Sequence, residues 1–154
     1  MNTIKKLWKL PVTSKSIISS FVNQRNNNSI CEMLFDYRDE MTGGNHHSWI
    51  LFFGVQELKH KFEKNLVSEN LEICDYLVEF IDSGWIKQMK ETASKNFKLW
   101  HEKEKDKEAV NFQEMNHYGI VLDNNTFYEV IATKYSILEP EEGLIKDMTL
   151  YDFD

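Results

Sequence analysis

The sequence predicts a single α+β domain: a mostly antiparallel β-sheet of about five strands, one long amphipathic helix over 83–100 packed on a face, and a short N-terminal helix. Three observations predict it. Cys31, Met33, Phe35 and Tyr37 recur at every second position, Gly- and Asn-rich turns separate apolar runs, and apolar residues recur every three or four positions from Trp85 to Trp100. The chain has 154 residues, 42% hydrophobic and 28% charged, with six glycines and two prolines, so it suits one packed domain over 1–154 better than a disordered or fibrous chain. A domain of that size buries roughly two thirds of the surface its unfolded chain exposes and needs no staple. No internal repeat, low-complexity stretch or linker divides it.

Taken in order, Ser14 to Val22 reads as a short helix, because Ile17, Ile18, Phe21 and Val22 fall on one helical face before the polar cluster Asn23 to Ser29. Cys31, Met33, Phe35 and Tyr37 then alternate with their neighbours as a strand with one buried face. Gly43-Gly44-Asn45 permits a hairpin reversal. The return strand begins near Trp49 and, by the alternation of Leu58, His60 and Phe62, runs on past a bulge at Gly54. A helix over Val55 to Asn65 competes, since Glu57/Lys61 and Leu58/Phe62 are also spaced i, i+4. Asp75 to Ile81 has the composition of a central strand.

Asp82 or Ser83 can cap the helix that follows, whose apolar stripe is Trp85, Met89, Ala93, Phe97 and Trp100. Glu102 to Glu108 either extends that helix or forms an exposed loop. His117 to Leu122 and Phe127 to Thr133 form a hairpin about Asp123-Asn124-Asn125-Thr126. An acidic C-terminal segment from about 136 closes the chain, either as a solvated tail, as a counterpart of the basic N-terminal stretch, or as a surface for a basic partner.

The net charge of −7 argues against a general nucleic-acid binder, which needs a concentrated basic surface. No apolar run approaches the ~20 residues that span a bilayer, and Lys5, Lys6 and Lys9 interrupt the N-terminal stretch where a secretory signal would need a continuous apolar core. A soluble, cytoplasmic protein with free thiols at Cys31 and Cys74 is the expectation.

The sequence offers no catalytic signature. Its cysteines lie in apolar strands where a thiol is inert, and GxSxG, GxxxxGK and GxGxxG are absent. His46-His47, near Asp36, Asp39 and Glu40, invite a metal, but adjacent strand residues point to opposite faces and no HExxH, CxxC or EF-hand spacing supports one. No metal or other cofactor is expected. Glu79 and Glu129 interrupt apolar strands, either facing water or held by a buried base such as Arg38.

Three stretches carry a family resemblance: Tyr76-Leu77-Val78-Glu79-Phe80-Ile81-Asp82-Ser83-Gly84-Trp85-Ile86, Asn116-His117-Tyr118-Gly119-Ile120-Val121-Leu122 and Phe127-Tyr128-Glu129-Val130-Ile131-Ala132. From about Leu51 to Thr133 the chain resembles small bacterial immunity proteins of toxin and immunity pairs, of the contact-dependent inhibition and polymorphic-toxin kind. That resemblance implies a non-enzymatic cytoplasmic protein that binds and neutralises one cognate toxin domain, a basic nuclease being the class that an acidic surface suits. Glu139, Glu141, Glu142, Asp147 and Asp152 are then the candidate contact residues, with Tyr151 and Phe153 as aromatic anchors. The alternative is a small enzyme or ligand-binding domain whose pocket, between the sheet and the 83–100 helix, presents His117, Tyr128 and Glu129. A structural interaction module with a large apolar patch is the third class.

Overall fold

The computed structural model describes residues 3–39, 43–62, 74–100, 115–122 and 126–142. Nine strands fill most of them: β1 (Thr3–Lys9), β2 (Ile17–Arg25), β3 (Ile30–Arg38), β4 (Asn45–Phe53), β5 (Glu57–Phe62), β6 (Tyr76–Ile81), β7 (Asn116–Leu122), β8 (Thr126–Ala132) and β9 (Lys134–Glu142). One α-helix, α1 (Gly84–Trp100), follows β6, and a single 3-10 turn covers Ser14–Ser16. The strands form two antiparallel sheets: sheet A in the order β1-β6-β7-β8-β5, and sheet B in the order β2-β3-β4-β9. This corrects the expected α+β fold of about five strands: the protein is mostly β.

The expected N-terminal helix does not form. Past the 3-10 turn, Ile17–Arg25 pairs with β3 as a strand, Phe21 opposite Leu34 and Val22 opposite Met33. A register shift between Ile17 and Ser19 inserts Ile18 as an extra residue, so Ile17 and Val22, five apart, both turn toward the core. Odd spacing of that kind hides a period of two and imitates a helical stripe. At the end of β2, Asn26, Asn27 and Asn28 adopt φ of 51°, 55° and 67°, the left-handed region that asparagine tolerates better than most side chains, and return the chain into β3.

The acidic segment is also not a tail throughout. Its first part is β9, the edge of sheet B, with Leu138 opposite Trp49 and Ile137 opposite Ile50. Alternating Tyr135 and Ile137, both packed against the shared core, is a strand pattern that the density of acids obscures. Residues 143–154 lie outside the described residues.

Both hairpins read from the sequence are present. β3 and β4 pair from Ile30 with Phe53 to Arg38 with Asn45, and β7 and β8 pair from Asn116 with Ala132 to Leu122 with Thr126. Residues 57–62 are a strand, not a helix, yet not a continuation of β4. At Gly54, with φ of +65°, the chain leaves sheet B for sheet A, and β8 and β9 make the reverse passage beside it at Thr133. Thr133 N donates to Phe53 O at 2.9 Å and Gln56 N to Ile131 O at 2.8 Å, stapling the two corners together. A Cβ at residue 54 would collide with Thr133 Oγ1, so both the φ and the close approach require glycine.

The sheets share one core. Cys31, Met33, Phe35, Ile50 and Phe52 of sheet B pack with Leu77, Tyr118, Ile120, Leu122, Val130 and Ala132 of sheet A. Phe52 and Tyr118 meet at 5.3 Å between ring centres, and Trp8 reaches Phe35 at 6.3 Å. Each sheet has a second apolar cluster on its outer face: Val78, Val121 and Phe127 with Cys74 on sheet A, and Leu34, Trp49 and Leu51 on sheet B. Among the described residues, no helix is long and apolar enough to cross a membrane.

Candidate functional site

The most organised polar site lies where α1 starts against the outer face of sheet A. Asp82, at φ of 58°, turns the chain out of β6, and Ser83 caps the helix by accepting Ile86 N–H on Oγ at 3.2 Å. The same hydroxyl lies 2.7 Å from Nδ1 of His117 on β7, and His117 Nε2 lies 2.9 Å from Glu129 Oε1 on β8. His117 and Glu129 are brought together as diagonal neighbours on one face, since His117 pairs with Ile131 and Glu129 with Gly119.

Glycine at 119 leaves room for this arrangement. A Cβ there would sit 2.6 Å from the Phe80 ring, and Phe80 lies tilted against the His117 imidazole at 4.6 Å. Trp85, from the first turn of α1, meets the imidazole edge-on at 5.1 Å. Lys59, opposite Glu129 on β5, holds its ammonium 3.8 Å from the centre of the Trp85 ring.

Charge and proton placement follow from these contacts. The hydrogen bond from His117 holds the Glu129 carboxyl below the ordinary glutamate range, helped by the positive charges of His117, Lys59 and Lys61 and opposed by burial. An ionised carboxylate only accepts, so Nε2 of His117 carries a proton. Nδ1 then faces the Ser83 hydroxyl, which itself accepts from Ile86 N–H.

Hydroxyl, imidazole and carboxylate in line are the groups that activate a serine nucleophile. Here, however, Ser83 is only 4% exposed, and its oxygen already accepts from Ile86 N–H and is bonded to His117 Nδ1. As it stands, the chain of bonds latches the helix start to the sheet.

Of the three residues expected to line a pocket, two converge and one does not. Tyr128 turns to the opposite face of β8, where it packs against the shared core and lies 5.9 Å from His60. Successive strand residues alternate faces, which separates Tyr128 from Glu129 however close they are in sequence. Glu79 likewise faces away from Glu129, paired with Tyr118, whose hydroxyl burial and the Glu79 charge push up to about 12.

Arg38, exposed at the end of β3, holds neither acid. The arginine that holds an acid is instead the half-buried Arg25, on Glu32: Nη2 donates to Oε2 at 2.7 Å and Nε to Oε1 at 3.1 Å, with Asn23 Nδ2 on the same Oε1 at 3.0 Å. Sequence reasoning missed this pair, although the alternation Cys31-Glu32-Met33 places Glu32 on the face opposite the core. Ser83 as a partner of His117 was likewise missed, since its capping role already accounted for it.

Glu139, Glu141 and Glu142 fall on β9, with Glu141 opposite His47 and Glu142 opposite His46 in β4. Asp147, Tyr151, Asp152 and Phe153 lie outside the described residues, as does Glu40. His46 stacks on Tyr37 and comes within 3.7 Å of Asp39, while His47, on the other face of the strand, is buried opposite Asp36. No three metal-ligating side chains converge among the described residues. Both cysteines are free and buried; burial, with Glu32 adjacent, pushes the Cys31 thiol up to about 12, and burial raises Cys74. Neither is a poised nucleophile.

Compared with protein-family models, curated proteins and solved structures, the chain matches none.

Proposed function

We propose that the protein is a non-catalytic binding module, an immunity protein that occupies and neutralises a cognate toxin domain in the cytoplasm. The observation that carries this reading is the placement of Glu139, Glu141 and Glu142 on β9, an edge strand whose backbone is fixed by pairing with β4. A backbone already paired need not be ordered when a partner arrives, so less entropy is lost on binding than with a loose tail. A net charge of −7 adds long-range attraction for a basic domain.

The small-enzyme reading has one observation in its favour, the convergence of His117 on Glu129 and Ser83. It ranks second because the hydroxyl is buried and doubly bonded, and because Tyr128 lies on the other face of the sheet.

The test is to purify the protein with each toxin-like domain encoded beside its gene and to measure association by stopped flow. A nanomolar complex is expected, with an on-rate that falls as salt rises. Reversing Glu141→Lys and Glu142→Lys together should slow association at low salt by about tenfold or more. An on-rate indifferent to both salt and reversal removes the acidic edge from the interface.

A further inference from the structure

Four strands are sheet edges among the described residues: β1 and β5 in sheet A, β2 and β9 in sheet B. An edge presents a row of backbone N–H and C=O groups to any passing strand, and proteins guard such rows with lysine, proline, inward or outward charge, short length or bulges. Three of the four edges are guarded by charge. β1 carries Lys5, Lys6 and Lys9, and β5 has Glu57, Lys59 and Lys61 in a strand of six residues. β9 carries Lys134, Glu139, Glu141 and Glu142, with Pro140 at its register shift.

β2 differs from all three. Over nine residues, IISSFVNQR, it has no lysine, acid or proline, and its single charge, Arg25, stands at the far end in a close pair with Glu32. Two of its large apolar side chains face outward, Ile18 at 60% and Phe21 at 49% exposed. The bulge at Ile18 interrupts only the start, leaving Ser19–Arg25 in regular register with β3.

We infer that β2 is a self-association edge, pairing antiparallel with β2 of a second copy about a two-fold axis at Phe21, so that two copies of sheet B become one continuous eight-stranded sheet (two sets of four strands). Charge selects this occupant. Antiparallel pairing sends the two Arg25 residues to opposite ends of the seam and brings no other charge of the strand against its copy. A strongly basic or acidic strand would find nothing there to answer it. Both Phe21 side chains lie on the same face of the joined sheet, adding apolar contact across the seam.

The electrostatics of this seam are opposite to those of the acidic edge. Two bodies of net charge −7 repel, and the seam itself is neutral, so added salt strengthens self-association while it weakens capture of a basic partner by β9. Each idea can therefore fail without the other.

The experiment is sedimentation velocity across the micromolar range at low and high salt, on the full chain alone. The expected result is a reversible monomer–dimer equilibrium that tightens with salt. Phe21→Lys and Ile18→Lys, at exposed positions, should each weaken it by at least about tenfold. Near-UV circular dichroism matching the parent shows that the variants remain folded. A parent that stays monomeric throughout, an assembly that grows beyond two copies, or folded lysine variants that dimerise as tightly as the parent would each overturn the proposal.

Discussion

The outer faces of the two sheets handle polar groups in different ways. On sheet B the centre is apolar, Leu34, Trp49 and Leu51, and the acids on either side are satisfied by neighbouring strands: Glu32 by Arg25 and Asn23, Asp36 by the Ser19 hydroxyl at 3.0 Å. On sheet A the polar groups are central, and they reach outside the sheet. Ser83 belongs to the helix cap, His117 and Glu129 to the sheet, and Lys59 closes over Trp85. The first arrangement joins β2 to β3 and would survive without the helix; the second joins the helix to the sheet and is where pH can act. Both outer faces therefore combine an apolar cluster with paired polar groups, but only on sheet A does the hydrogen-bonded chain reach the helix start.

The largest break in that comparison is Trp49→Ala. Trp49 is 1% exposed, and its loss from the sheet B cluster should cost about 3–5 kcal/mol, read as a lower urea midpoint at unchanged slope. Ser83→Ala comes next. It removes the helix cap and leaves Nδ1 of His117 without the hydroxyl, at a cost of about 1–2 kcal/mol, while partner affinity stays at the parent value. A collapse of function with unchanged stability would instead favour the enzyme reading.

Glu129→Gln is the smallest perturbation and the most specific. At neutral pH it should cost about 1 kcal/mol. Because the folded-state carboxyl of Glu129 is held below its unfolded value, its contribution is complete above the ordinary glutamate range and is lost as pH falls through the lowered value. Urea midpoints of parent and variant should therefore converge as pH is lowered through that range; a constant difference would show that the charge of Glu129 is not what the latch uses.

How far the sequence could be read depended on whether a segment's pattern was closed within itself. Cys31, Met33, Phe35 and Tyr37 recur at every second position, and 116–122 and 126–132 are apolar runs on either side of an Asn-rich stretch, so their strands and hairpins were legible. Ser83 before the Trp85 stripe likewise marked the start of α1. β2 was misread because one extra residue at Ile18 shifts its phase, and β9 because its acids suggested solvent while its partner strand lay more than eighty residues earlier in the chain. The site was half legible: His117 and Glu129 stood out as polar residues in apolar strands, but the face on which each pointed, and hence the exclusion of Tyr128, needed the register.

By itself, then, the sequence determined the local periods, the turn positions, the helix start and the inert setting of Cys31 and Cys74, because each depends on residues within a turn or two of one another. Only the tertiary structure decided that the chain changes sheets at Gly54 and Thr133, that Ser83 meets His117, and that β2 and β9 become opposite edges of one sheet. Those are pairings between distant segments, and their stability comes from surfaces that exist only once both partners are in place.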